Sequence, residues 1–144
     1  MIYLDTSALL KLYIKESGSE FVQQQVVSQD VPLPIWELQS AEFVNALRLK
    51  IFWGDIDDEQ ADRLIALFDE RMERGQYFVP EIDRDRLMTT FRELSRETPR
   101  TGCRTMDIYH VACAVQLAPG RFITFVGQQH TLALHAGLNV VSNP

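Results

Sequence analysis

Cysteine is scarce in this chain, basic charge is outweighed by acid, and long apolar runs are missing. The two cysteines, Cys103 and Cys113, match no zinc-ligand spacing and make no disulfide framework. Cys113 lies in an apolar helical pattern and reads as a small buried residue. Both fit the reduced thiols of a cytosolic protein. No apolar run approaches the ~20 residues needed to cross a bilayer. No basic segment opens the chain, and Asp5 interrupts its first apolar stretch, so no signal peptide is read and a cytoplasmic location is expected. A formal net charge of -6 argues against a general nucleic-acid binder, whose footprint is normally basic. Acid is itself absent from one region: no Asp or Glu follows Asp107.

What remains is a chain of 144 residues, 46% hydrophobic and 24% charged, which fits one soluble globular domain. Short apolar segments alternate with amphipathic ones. Residues 2–5 read as a buried strand, 7–16 as a helix broken by Gly18, and 19–28 as the next helix. Residues 31–35 read as a weak strand, since Pro32 and Pro34 cannot donate to a ladder. A helix over 37–53 ends near Gly54, and another runs to about Arg74. The acid from Asp55 to Glu59 suits that second helix start, where it complements the dipole. A strand at 77–80 and a helix at 83–97 follow, then a loop marked by Pro99 and Gly102. Thr105 resembles the N-cap of a helix over 106–118. A strand at 121–126, a helix at 129–136 and a strand at 138–142 close the chain. This alternation predicts a mostly parallel sheet covered on both faces. Sites in such sheets form beyond the carboxyl ends of the strands.

Asp5 stands at such an end, Glu42 borders the apolar face of a helix, and Asp107 sits in the first turn of another. Carboxylates beside core segments are costly unless paired or bound to metal. Converged, they would offer oxygen ligands to a hard divalent cation, Mg²⁺ or Mn²⁺, able to activate water for phosphodiester cleavage. Each also has a plainer reading: Asp5 as a helix N-cap, Glu42 as a solvated edge residue, Asp107 as a first-turn acid. His110 reads as a packed or hydrogen-bonded residue rather than a ligand. The Ser7 hydroxyl is placed to orient a carboxylate or a water. Arg84, Arg86, Arg92, Arg96, Arg100 and Arg104 make a basic run interleaved with acid. Arg96, Arg100 and Arg104 are the candidates for RNA contact, against the reading of a solvated helix of mixed charge.

Three segments together carry a resemblance: LDTSAL around Asp5, SAEFVNAL around Glu42 and RTMDIYHVACA around Asp107. In this order they resemble the PIN-domain family, and are most similar to VapC-like toxins of bacterial toxin–antitoxin pairs. The resemblance spans essentially the whole chain. It implies a single α/β domain over 1–144, a three-layer α/β/α sandwich around a mostly parallel sheet. It also implies Mg²⁺- or Mn²⁺-dependent RNA cleavage, a homodimer, and inhibition by a cognate antitoxin. Asp5, Glu42 and Asp107 match the family's first three acidic positions. The fourth departs: in FITFVGQQH, Val126 stands where the family carries aspartate, leaving Thr124, Gln128 and Gln129 as neutral oxygens. That substitution opens a second expectation, a silent PIN-like module that only binds RNA or antitoxin. A third is a phosphohydrolase with Asp5 as nucleophile, although no second acid follows in D-T-S.

Overall fold

The computed structural model describes residues 1–142, and Asn143 and Pro144 lie outside the described residues. Strand β1 (Ile2–Leu4) pairs in parallel with β4 (Arg121–Ile123), Tyr3 standing opposite Phe122. Strand β2 (Leu33–Pro34) pairs in parallel with β3 (Tyr77–Phe78). Around these run α1 (Thr6–Leu10), α2 (Ser19–Val27), α3 (Glu37–Phe52), α4 (Asp58–Glu73), α5 (Arg84–Leu94), α6 (Thr98–Thr101), α7 (Thr105–Leu117) and α8 (Gly127–His135).

Successive strand side chains point to opposite faces, and the strand residues divide on that rule. Ile2, Leu4 and Ile123 enter one core with Leu9 of α1, Val22 of α2, Phe43 and Leu47 of α3, and Phe68 of α4. Tyr3 and Phe122 enter the other with Leu87 of α5, Ile108 and Val111 of α7, and Leu132 of α8. Two helical layers thus flank parallel strands, as the alternating pattern predicts, although the strands pair as two separate two-stranded sheets rather than as one continuous sheet. Among the described residues no helix is long and apolar enough to cross a membrane.

Five local expectations are corrected. The helix expected over 7–16 stops at Leu10. There the ladder tightens, with Leu12 N bonding Leu9 O and Tyr13 N bonding Leu10 O, one residue short of the α spacing. The helix expected over 83–97 ends at Leu94, passes through a 3₁₀ turn at Ser95–Glu97, and resumes as α6. Pro99 therefore lies in helix rather than loop; it occupies a first turn, where its missing N–H is not needed. Arg104, not Thr105, holds the N-cap position of α7. The strand expected at 138–142 reduces to a single parallel bridge between Val140 and Phe122, because β4 is too short to extend a ladder.

Candidate active site

Asp5 follows β1 directly, and its backbone N–H still bonds Ile123 O across the β1–β4 pair. Its carboxylate is buried and serves as the α1 N-cap, accepting from Ala8 N at 2.9 Å. The capping and site readings of Asp5 therefore fall on one side chain. Ser7 Oγ donates to the same carboxylate, lying 2.7 and 2.9 Å from its two oxygens, and accepts from Phe125 N at 2.9 Å. Ser7 thereby ties the loop after β4 to the end of β1.

Thr124, 119 residues away, reaches the other side of Asp5. Its hydroxyl is 2.8 Å from Asp5 Oδ2 and 2.6 Å from Gln129 Oε1. It already accepts from Val126 N at 3.0 Å. Gln129 is fully buried, and its amide group donates to Asp107 O, which fixes Oε1 toward Thr124. A hydroxyl has one proton to give, yet Thr124 faces two acceptors. The pocket therefore holds more oxygen lone pairs than protons. Burial pushes the Asp5 carboxyl above its ordinary 3.8, against the electropositive edge of His110 and the hydrogen bonds from Ser7, Ala8 and Thr124.

Glu42, on α3, approaches from the neighbouring side. Its Oε1 is 3.1 Å from Nε2 of His110, which lies on α7 and is buried. Thr6 Oγ1 is 3.3 Å from the same nitrogen. Burial pushes the Glu42 carboxyl up, but the His110 and Thr6 contacts outweigh it and hold the group below its ordinary 4.5. Asp107 is half-buried, and its carboxylate turns back to accept from Arg104 N at 2.9 Å, closing the first turn of α7. A shallow cleft of about 350 Å³ joins Gly102, Arg104, Asp107, Val126 and Gln128. Val126 thus lies beside Asp107, half-buried, at the N-cap position of α8, where no side chain caps the helix.

Asp5 and Asp107 are linked through Thr124 and Gln129, and Glu42 joins Asp5's neighbour Thr6 through His110. Among the described residues, however, no three of His, Cys, Asp and Glu converge on a single point suited to a metal ion. The oxygen-rich, proton-poor donor set still suits a hard divalent cation, one of which (Mg²⁺) keeps several waters among its ligands. The arginines divide. Arg104 borders the cleft, Arg100 is exposed and paired with Glu97 at 3.0 Å, and Arg96 is exposed on the 3₁₀ turn. Tyr3, Trp36 and Gln39 escaped sequence reasoning; all are buried, and Gln39 donates to Leu4 O beside Asp5. Their contacts span about thirty or more residues, so no local pattern signals them.

No family model matches the chain, and no curated protein matches it. Solved structures do share its architecture. VapBC-1 from nontypeable Haemophilus influenzae is 19% identical with a TM-score of 0.64, over 98% of this chain and 97% of that one. FitAcB from Neisseria gonorrhoeae is 18% identical with a TM-score of 0.65, over 99% and 97%. The chain thus has the α/β fold of these two solved structures.

Proposed function

We propose that the protein is a Mg²⁺- or Mn²⁺-dependent endoribonuclease and the toxin of a toxin–antitoxin pair. The observation that carries this reading is the surplus of oxygen acceptors around Asp5, at the carboxyl end of β1. Asp5, Glu42 and Asp107 hold the ion, in part through water because their carboxylates stand apart. When bound, such an ion lowers the pKa of water and neutralises charge on the phosphate. Ser7 and Thr124 fix the orientation of the buried Asp5 carboxylate, and Arg104, in the cleft beside Asp107, would pair with an RNA phosphate. Leu49, Phe52 and Trp53, exposed at the end of α3, supply the apolar surface for an antitoxin or a second copy. The likeness in fold to the VapBC-1 and FitAcB structures supports the toxin reading.

One observation favours a second reading, a silent PIN-like module: the side chain beside Asp107 in the cleft is Val126, which offers no ligand. Melting with Mn²⁺ and cleavage of RNA decide between them. A cation at a hundred times its Kd stabilises the fold by about 2.7 kcal/mol. The nuclease reading expects a rise in Tm and RNA cleavage, both lost in Asp5→Asn. A parent protein with neither response is the silent module.

A further inference from the structure

A chain of hydrogen bonds runs through the core behind Glu42. Trp36 Nε1 donates to Tyr3 Oη at 3.0 Å. Tyr3 Oη lies 2.9 Å from His110 Nδ1, and His110 Nε2 lies 3.1 Å from Glu42 Oε1. Trp36, Tyr3 and His110 are all buried. For a neutral imidazole the proton positions follow from what each group can give. An indole N–H only donates, so Tyr3 Oη accepts from Trp36. Its single phenolic proton then points to His110 Nδ1, which accepts. The remaining ring nitrogen, Nε2, carries the imidazole hydrogen and faces the carboxylate. The reverse arrangement would set the Nε2 lone pair against a carboxylate oxygen.

We propose that His110 is a positioning residue: the Trp36–Tyr3 pair locks it in the tautomer with hydrogen on Nε2, and that N–H fixes the Glu42 carboxylate at the mouth of the site. The inference rests on the reading of Glu42 as a metal-holding carboxylate for its purpose, but not for its geometry. The lock supplies what the sequence position of Glu42 lacks. A glutamate on the edge of a helix face has three rotatable bonds and half-exposed surroundings, and would otherwise sample solvent. Thr6 Oγ1, 3.3 Å from the same nitrogen, sits on the first residue of α1 and registers Glu42 against Asp5 next door. The device works through a second residue in contact with the ligand, as orienting partners of metal-holding groups do.

The test is the pattern of ring-nitrogen resonances in the ¹⁵N-labelled full-length protein, with His110 assigned by its loss in His110→Gln. The expected parent spectrum has a proton-free Nδ1 and a protonated Nε2 at His110. In Tyr3→Phe the two nitrogens are expected to average toward each other, as tautomers mix. Trp36→Phe serves as the second variant if Tyr3→Phe does not fold, with a smaller change in the same direction. Mn²⁺ titration is the parallel readout. His110→Ala is expected to weaken binding about tenfold, and His110→Gln, whose amide can donate in place of Nε2–H, to recover most of it. A proton on Nδ1 in the parent overturns the proposal, as does Mn²⁺ binding by the parent that His110→Ala leaves at the same affinity. A locked His110 in a parent that binds no Mn²⁺ overturns the metal reading and upholds the lock.

Discussion

Ile2 and Leu4 look from β1 into a core of aliphatic and aromatic side chains, where Phe43 stacks on Phe68 with ring centroids 4.7 Å apart. Tyr3, between them, looks the other way into a core threaded with polar atoms: Trp36, His110 and, beyond Phe122, the Gln129–Thr124 pair. The two sides of one short strand are thus held by different physics. On the first, volume and area decide stability, and any group of similar size serves. On the second, stability depends on matching each donor to an acceptor, so a change that conserves shape but removes a proton is costly. Among the candidate site residues, Asp5 and Thr124 hang from the second side, whereas Ser7 and Glu42 come from α1 and α3, helices that pack on the first. The strands thus separate a drier core, whose polar contacts include the Tyr13–Tyr77–Arg71 group, from a wired one around Asp5 and His110.

The largest expected effect breaks the dry side. Phe43→Ala removes a fully buried ring and is expected to cost about 3–5 kcal/mol, read by urea unfolding. Such a loss with the ring-nitrogen pattern of His110 unchanged would show that the two sides are separable. Next comes the wired side. Thr124→Val keeps the shape and removes the hydroxyl that meets Asp5, Gln129 and Val126 N. The expected cost is about 1–3 kcal/mol, because buried partners are left unmet. A cost near zero in the same urea assay would mean that water replaces the hydroxyl and that the proton count does not govern this side.

Titration sharpens the comparison further. The folded-state pKa of Asp5 is raised above its ordinary 3.8 by burial. The unfolded chain therefore releases this proton first, and Asp5 lowers metal-free stability as pH rises from about 3.8 through the raised value. Asp5→Asn removes that loss. Its stability relative to the parent should improve as pH climbs across this window, measured by thermal unfolding without metal. A constant difference between the two proteins at every pH would mean that Asp5 is ionised as easily folded as unfolded. The smallest effect is at Val126, the uncapped start of α8. Val126→Asp should gain roughly 0.5–1 kcal/mol as a new N-cap, with neighbouring Asp107 opposing it until Mn²⁺ is added. Equal stability with and without Mn²⁺ would place this side chain away from the metal.

Much of this division is legible in the sequence. Ile2-Tyr3-Leu4 reads as a strand, and the 3.6-residue pattern marks α3, α4 and α7, because apolar periodicity is a local property. Asp5 and Ser7 stand out by residue type and Thr124 by its place beside the departing fourth position of the resemblance, and the structure does bring these three together. His110 reads as a hydrogen-bonded core residue, and it is one. What its partners are is not legible, since Tyr3 lies 107 residues away and Glu42 lies 68 away. The premature end of α1 and the reduction of the last strand to one bridge also escape the local pattern. The first is a change of hydrogen-bond spacing after Leu10 and the second a pairing with the distant Phe122, neither of which apolar periodicity encodes.

The pairing of β1 with β4 has a consequence in time. The first strand of the chain finds its hydrogen-bonded neighbour only at Arg121–Ile123, and Asp5 meets Thr124 a residue later. A growing chain on the ribosome carries Asp5 from the start but cannot enclose it until nearly all the rest has been made. Such distant contacts slow folding, because the loop between them must close first. The Asp5–Thr124 contact is thereby delayed until the segment carrying β4 has been made, so the pocket around Asp5 is among the last parts of the fold to close.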